Sequence, residues 1–187
     1  MSRSSPALIV SSKYRPLYRW NRISNLVYGP NGRLEYLKAG EKKIRYGYDQ
    51  DGVRLIKAVD DHVKEIYLGD FVITDGGIIG SVKIGGIAVG VARGNHFKRI
   101  NFDVRGTALE DDAHVVSAIS AYGTRSGHRN SESPVIDFAA VGYDSDLKVY
   151  RMASRDYDPV LKRFLTPDTL FLEDPELCVH SPKECNL

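Results

Sequence analysis

The sequence contains little net charge and few of the residues that crosslink chains or bind metals. Its 187 residues carry a formal net charge of +2, which argues against a protein dedicated to binding nucleic acid. Basic residues and aromatic rings are interleaved before Lys57. We interpret that half as a solvated strand face, or as a surface that meets the acidic remainder of the chain, rather than as a single-strand-binding groove.

The chain has two cysteines, Cys178 and Cys185, seven positions apart. They fit either a local disulfide in an oxidising compartment or two free thiols, at least one of them packed as a small apolar group. A zinc site would need two more ligands, and only His180 lies between them. We therefore predict no metal site here.

Long hydrophobic runs are also missing. Residues 7–10 are too short for the core of a signal peptide, and no basic stretch with a cleavage site frames them. The apolar stretch from Ile78 to Ala92 is interrupted by glycines and by Lys83, so it suits neither a membrane span nor a helix. We expect no membrane-spanning segment, and export, if it occurs, would depend on other machinery or on a missing upstream region.

Tyrosine, glycine and aliphatic residues dominate what is present. The chain is 42% hydrophobic, and its aromatic residues are 11 Tyr, 6 Phe and 1 Trp. Tyrosine suits half-buried strands, where the ring packs and the hydroxyl reaches water or a backbone group. With 17 Gly and 8 Pro, turns should be frequent and helices few. This composition predicts one structural unit with a core.

The segment from Tyr46 to Lys57 reads as a strand, a tight turn and a second strand. Large side chains alternate with Lys43, Arg45 and Gly47, which places them on one face of a strand. The turn at Asp49–Gly52 follows from an Asx side chain that bonds nearby amides and a glycine that accepts positive φ. We predict a β-hairpin here.

The same reasoning divides much of the chain into short strands. Residues 33–68 predict three or four antiparallel strands with turns near 39–41, 49–52 and 59–62. Runs at 79–84, 87–92 and 96–102 each have strand length and end at Gly or Asn. Residues 107–122 fit further strands or a short helix, residues 124–134 a polar loop, and residues 135–141 a short helix or another strand.

Two of these segments resemble known motifs. Tyr46, Tyr48, Asp49 and Gly52 resemble the tyrosine-aspartate (YD) repeat of the Rhs family. The C-terminal stretch resembles the Rhs repeat-associated core signature through Arg155, Tyr157, Asp158, Pro159, Arg163, Phe164, Pro167 and Asp168. Phe102–Thr107 and Ser120–Arg125 resemble the Asp-x-x-Gly and Tyr-x-x-Gly elements that precede that signature.

The resemblance implies an all-β fold, a curved antiparallel sheet of short hairpins that ends in an irregular tail. It divides the chain into an N-terminal strand or linker (1–25), a YD-repeat-like sheet (26–140) and the core signature with its tail (141–187), all within one structural unit. In Rhs relatives such sheets form a shell around a toxic payload. The expected role is therefore a C-terminal shell segment of a bacterial polymorphic toxin, with no toxin domain of its own.

The resemblance also implies partners and a location. Upstream Rhs repeats, a downstream toxin domain and an immunity protein would be its natural partners, and no cofactor is implied. Unpaired strand edges would favour self-association. The chain would be secreted or displayed on the cell surface without a signal peptide, after residence in the bacterial cytoplasm, in the service of bacterial competition.

Catalysis is the main alternative. Rhs proteins and the C components of insecticidal toxin complexes look to use aspartates for self-cleavage, through Asp-Pro-x-Gly elements at and beyond the signature. Only Asp168 occupies such a position, and Thr169 and Phe171 replace the Pro and Gly. A further alternative is a cell-surface module that binds glycan or protein. We predict instead that the chain is not an enzyme, and that Asp158 and Asp168 cap turns while arginines pair with them.

Two further groups of polar residues carry no recognisable motif. His128 has Ser126, Ser131 and Asp137 near it in sequence, but no nucleophile elbow accompanies them. The acidic residues 110–112 with His114 lack the regular alternation of a calcium loop. Both are predicted to be solvated loops.

Overall fold

The computed structural model describes residues 23–29, 32–111, 119–125, 133–165 and 176. This part of the chain forms short β-strands. In chain order they are β1 (Ile23–Tyr28), β2 (Leu34–Ala39), β3 (Lys42–Tyr48), β4 (Arg54–Val59), β5 (His62–Leu68), β6 (Phe71–Thr74), β7 (Gly77–Ile84), β8 (Ile87–Arg93), β9 (His96–Phe102), β10 (Ala108–Asp111), β11 (Tyr143–Asp144), β12 (Val149–Met152), β13 (Arg155–Asp158) and β14 (Arg163–Phe164).

The strands belong to two sheets in which sequence neighbours are also spatial neighbours. The first contains β1 to β10 in sequence order, and the second contains β11 to β14 in sequence order. The pairings from β1 to β4 and from β5 to β10 are antiparallel, as is that of β11 with β12. The prediction of an all-β fold of short antiparallel strands is confirmed. The strand runs predicted within 33–68 and 79–102 are confirmed too, whereas β6 was not foreseen.

The chain divides into two compact units. The first contains the described residues up to Lys64, together with Ala153–Arg155 and the described residues from Phe164 onward. The second contains Glu65–Met152 and Asp156–Arg163. The division into segments 1–25, 26–140 and 141–187 stays a prediction.

Most hairpins turn through two residues, and backbone φ explains their sequences. Asp60 and Asp61 both have positive φ, 51° and 65°, and Gly85 and Gly86 have φ of 58° and 82°. Two successive positive φ angles match the right-handed twist of the flanking strands, which is why Asp and Gly occupy such turns. Asp60 also accepts a hydrogen bond at Oδ1 from Lys43 N, 2.8 Å away.

The buried side of the first unit is unusually polar. Leu34, Leu37 and Ile44 are buried, and Tyr46 lies beside them on the inward face of β3. Two cationic residues of β4 share this interior: Arg54 and Lys57, both buried. The Arg54 guanidinium lies 3.8 Å from the centroid of the Tyr46 ring, so an aromatic face compensates part of its lost hydration.

In the second unit one row of side chains crosses three strands. Tyr67, Val72 and Ile79 are successive cross-strand partners on β5, β6 and β7, and all three are buried. The Arg151 guanidinium lies 4.0 Å from the centroid of the Tyr67 ring. A second part of this core gathers around Tyr150 and Val149, both fully buried.

Residues 135–141 form neither the short helix nor the strand that the sequence predicted. Phe138 and Val141 form an isolated β-bridge around Ala139 and Ala140, whose φ values of 51° and 63° exclude a right-handed helix. Ala140 N donates to Gly106 O at 3.1 Å, so a neighbouring turn holds this backbone.

Several predictions fall outside the described residues. They concern the centre of the predicted polar loop (126–132) and most of the alternative short helix (115–118). They also concern the C-terminal tail, at residues 166–175 and 177–187. Within the residues that the structure describes, no helix is long and apolar enough to cross a membrane.

Candidate functional site

The core-signature hairpin is one of two similar hairpins. Tyr143-Asp144 and Tyr157-Asp158 each begin a Tyr-Asp-x-x-Leu-Lys segment, and the two segments stand 14 positions apart. Each starts at the end of a strand, β11 or β13, and leads through a turn into β12 or β14. The second segment is therefore a copy of a local structure that the first already contains.

The aspartate of each hairpin caps its turn. Asp144 Oδ1 accepts hydrogen bonds from Asp146 N and Leu147 N, both at 3.1 Å. Asp144 and Asp158 are each only 1% exposed, so their carboxylates accept hydrogen bonds from backbone amides rather than from solvent.

The second copy repeats this geometry. Asp158 Oδ1 accepts from Val160 N at 2.7 Å and from Leu161 N at 3.0 Å. The closing lysines, Lys148 and Lys162, have nearly equal positive φ of 60° and 59°. The prediction that Asp158 caps a turn is confirmed.

A different five-residue turn recurs where strands or bridges meet. In the turn Asp103–Thr107, Asp103 N donates to Thr107 O at 2.9 Å, and Gly106 N donates to Asp103 O at 2.9 Å. Asp103 Oδ1 accepts from Arg105 N and Thr107 N, both at 2.8 Å. Gly106 has φ of 78°, which explains the glycine at the fourth position.

The same backbone pattern appears in three other places. Asp49 begins one copy, in which its Oδ1 accepts from Val53 N at 2.7 Å, and Ser120 begins another, in which its Oγ accepts from Thr124 N at 3.1 Å. Gly29 begins a third copy, which has no side-chain cap: Gly29 N donates to Arg33 O at 2.8 Å. In the sequence, the Asp-x-x-Gly spacing indicates this turn at Asp49 and Asp103. At Ser120 the same spacing occurs with a hydroxyl in place of the carboxylate.

The hydrogen bonds that Asp103 accepts determine its titration. The backbone hydrogen bond from Thr107, followed by that from Arg105, lowers the pKa of Asp103 below the ordinary value of 3.8, against the opposing effect of burial. The turn therefore favours the ionised carboxylate.

A buried ion pair joins two of these segments. Arg125 and Asp137 have side chains that are 1% and 0% exposed, and the Arg125 Nε–Asp137 Oδ1 distance is 2.9 Å. Arg125 Nη2 also donates to Asp137 Oδ1, to Asp137 O at 3.2 Å and to Ala108 O at 3.1 Å. Arg125 thereby connects β10, the Ser120 turn and the segment around Asp137. Sequence analysis did not single out Arg125 as a pairing residue.

Tyr150 fills the space beside that pair. Its hydroxyl donates to Gly123 O at 2.9 Å, and its ring centroid lies 5.0 Å from that of Phe138 and 5.1 Å from that of Tyr143. A Cβ at Gly123 would lie 2.9 Å from the Tyr150 ring and 3.0 Å from the Phe138 ring. The fourth position of the Ser120 turn must therefore be glycine for steric reasons as well as for its φ of 83°.

The other signature residues lie in two places. In the second unit, the Tyr157 hydroxyl donates to Tyr122 O at 3.2 Å, and Thr124 Oγ1 donates to Pro159 O at 3.0 Å. Burial, more than the nearby Tyr122 and Asp158, raises the pKa of Tyr157 above its ordinary value. Arg163 is exposed.

In the first unit, the Arg155 guanidinium lies 3.7 Å from the centroid of the Phe164 ring. The signature arginine is thus placed on an aromatic face, a contact that the predicted pairing with aspartate did not foresee. Pro167, Asp168, Cys178 and Cys185 lie outside the described residues, so the turn-cap, catalytic and disulfide hypotheses for them stay predictions.

The YD-repeat residues form the predicted hairpin. The Tyr48 hydroxyl donates to Leu34 O at 2.7 Å, and Gly52 has φ of 76°. A Cβ at Gly52 would overlap the Arg33 guanidinium, whose Nη2 donates to Asp51 O at 3.2 Å. Neither Arg33 nor Arg54 was singled out from the sequence, because an arginine in a strand ordinarily indicates a solvated face.

The described signature residues contact backbone groups and aromatic rings. Asp158 uses Oδ1 to hold backbone amides, and no group of His, Cys, Asp or Glu in the described part of the chain is arranged to bind a metal ion. What the arrangement does is fix turns and close a core with tyrosine and arginine side chains.

No protein-family model and no curated protein matches the sequence. Solved structures share its fold. The Photorhabdus luminescens Tc holotoxin pore with a mutated TccC3 matches with a TM-score of 0.57 and 16% identity, over 79% of this chain and 9% of the other.

Two crystal structures of TcdB2-TccC3 match as well. The one without the hypervariable C-terminal region matches with a TM-score of 0.57 and 17% identity, and the other with a TM-score of 0.57 and 15% identity. In both, the match covers 77% of this chain and 9% of the other. This chain thus shares its fold with a small part of these much longer Tc toxin chains.

Proposed function

We propose that this chain is a C-terminal shell segment of an Rhs-type polymorphic toxin, that it helps to enclose a downstream toxin domain, and that it has no enzymatic activity of its own. The observation that carries the proposal is the fold shared with Tc toxin chains at a TM-score of 0.57 over 79% of this chain.

Rigidity of the sheet supports the proposal. A shell wall must keep its sheet in place without a ligand, and the turns at Asp103 and Asp158 contribute to this because each aspartate caps amides of its own turn. The buried Arg125–Asp137 pair and the Tyr150 hydroxyl add fixed contacts between segments that are distant in sequence. Upstream repeats would extend the sheet, and an immunity protein would act on the released toxin rather than on this segment.

The proposed location follows from the proposed role. The chain would be made in the bacterial cytoplasm and would then leave the cell, or reach its surface, together with the rest of the toxin. No signal peptide is needed if the assembly is carried by a dedicated export system.

The test uses the natural gene product that contains this segment, with any coding sequence that precedes Met1 and follows Leu187. Limited proteolysis of the native assembly should leave the downstream domain intact, whereas the same domain expressed alone should be digested rapidly. Digestion at equal rates would refute enclosure.

The same gene product also tests for self-cleavage. The mass of the product and its Asp168→Asn variant, measured on a denaturing gel, report whether the chain cuts itself. An uncut wild-type chain would support the absence of catalysis. Cleavage that Asp168→Asn abolishes would instead show a self-processing aspartyl protease. A glycan array with the isolated chain tests the binding-module alternative.

A further inference from the structure

One face of the sheet formed by β5 to β9 is apolar and open to solvent. Register places Phe71, Gly80, Ala92 and Phe97 in a single cross-strand row, opposite in orientation to the buried row through Val72. We define the apolar face by its members that are at least half exposed, between 52% and 71%: Leu68, Phe71, Ile78, Ile84, Ile87 and Phe97.

The two phenylalanine rings each lie close to a glycine of a neighbouring strand. A Cβ at Gly80 would lie 2.7 Å from the Phe71 ring, and a Cβ at Gly90 would lie 2.6 Å from the Phe97 ring. Glycine at both positions lets the rings lie across neighbouring strands. The result is a low, smooth surface of the kind that packs against another sheet about 10 Å away.

The apolar face is as large as the largest patches that monomeric proteins ordinarily expose. The six side chains together present on the order of 600 Å² of apolar surface, at the upper end of the largest patch on a typical monomer. That area is also most of the roughly 800 Å² that each partner buries in a standard protein interface. The apolar face is therefore large enough to support a dimer.

The distribution of charge selects among possible occupants. Residues 77–102 contain no Asp or Glu, and their basic residues are Lys83, Arg93, Lys98 and Arg99. Register places Arg93 and Lys98 on the face opposite Phe97, and Lys83 bonds Asp70 at 2.5 Å. Within residues 77–102, Arg99, in register with Gly90, is the cation on the apolar side, and alternation along β5 places Lys64 on the same side as Leu68. An anionic membrane or an acidic peptide would need cations on the apolar side. Most of the cations of residues 77–102 lie on the opposite side of the sheet or pair with Asp70, so neither partner fits the apolar face well.

We propose that the apolar face docks against the same face of a second copy of this chain, with the two sheets packed face to face. The contact is isologous, so each apolar side chain meets an apolar surface and the cations of the opposite face stay in solvent. Arg99 lies near the rim of the contact. This inference does not depend on the proposed toxin shell function.

The test is the oligomeric state of the 187-residue chain, measured by sedimentation equilibrium over a wide concentration range. We expect a reversible dimer. Ile87→Lys, at a site 71% exposed, should weaken dimerisation by about tenfold or more, because a cation would be buried in the contact. Val104→Lys is the matched control, because Val104 is an exposed aliphatic residue as well but lies in the Asp103 turn, outside the apolar face.

Circular dichroism shows whether each variant keeps its strands, and Ile84→Lys provides a second variant at the same hairpin tip. A chain that stays monomeric at all concentrations would overturn the proposal, as would equal dimerisation of Ile87→Lys and Val104→Lys. Binding of the monomer to vesicles of phosphatidylglycerol, without dimer formation, would also overturn it and would assign the face to a membrane.

Discussion

Arg125 and Asp137 lie 12 positions apart in sequence and form an ion pair from which solvent is almost completely excluded. Removal of one member of such a pair leaves an uncompensated charge in the core. We expect Arg125→Met to lower the free energy of unfolding by about 3–5 kcal/mol, measured by urea denaturation.

The control for that prediction is Arg105→Met. Arg105 Nε lies 3.8 Å from Asp103 Oδ2, but the Arg105 side chain is 72% exposed. Loss of this surface pair should change stability by less than about 1 kcal/mol. Equal effects of the two substitutions would show that burial does not decide the strength of the Arg125 pair.

Tyr150→Phe tests the hydrogen bond to Gly123 O without changing the ring. The variant removes one buried donor and should cost about 1–2 kcal/mol of unfolding free energy, because the Gly123 carbonyl then loses a partner. Tyr122→Phe, at a half-exposed tyrosine, should be close to neutral. A neutral Tyr150→Phe would mean that the ring alone matters.

The two Tyr-Asp hairpins should respond alike to loss of their caps. Asp144→Ala and Asp158→Ala each remove an acceptor of two backbone hydrogen bonds, and each should cost about 1.5–3 kcal/mol in thermal or urea unfolding. Asparagine keeps one acceptor oxygen, so the Asn variants should recover part of the loss. A large effect at one site with none at the other would contradict the equivalence of the hairpins.

Gly106→Ala separates crowding from backbone strain. A Cβ at Gly106 would lie 2.7 Å from Ala140 Cβ, whereas a Cβ at Gly94 would have nothing within 4 Å. Both glycines have positive φ, 78° and 54°. Gly94→Ala should cost about 1 kcal/mol through φ alone, and Gly106→Ala about 1–3 kcal/mol more through overpacking. Similar unfolding midpoints for the two variants would refute the close approach of Ala140.

The lowered pKa of Asp103 predicts that its contribution to stability depends on pH in the acid range. Its folded-state pKa lies below the ordinary value of 3.8, so its contribution is present above that pH and is lost as the pH falls through the lower folded-state pKa. Asp103→Asn should therefore be less stable than the wild type at neutral pH, with a difference that shrinks in acid. Asp51→Asn, at an exposed turn residue, controls for the loss of one charge. A difference that grows in acid would contradict the assigned sign.

The sequence predicted strands and turns well because their causes are local. Period-two alternation at Tyr46 and Tyr48 and the Asp49–Gly52 turn needed no information from distant residues. Ala139 and Ala140 show the limit: their positive φ depends on packing against Gly106, which no local pattern encodes. Arg54 and Lys57 are a second case, because a buried cation and an exposed one look identical in a strand pattern.

In the candidate site, too, the features with local causes were predictable and those that depend on tertiary packing were not. The capping role of Asp158 followed from its Tyr-Asp-Pro context, while the pairing of Arg125 with Asp137 depends on the tertiary structure. The 14-residue spacing of the two Tyr-Asp-x-x-Leu-Lys segments was visible in the sequence, but two strands of only two residues each, β11 and β14, gave no periodic signal.

The five-residue turns that begin at Asp49 and Asp103 have a consequence for how such a protein can change in evolution. Each of them bonds its own first and last residues, so its geometry needs no support from the next hairpin. A pair of strands can then be duplicated or deleted between two such turns while the remaining strands keep their inward and outward faces. Sheet length becomes a quantity that genetic recombination can adjust in steps of two strands, as in other repeat proteins.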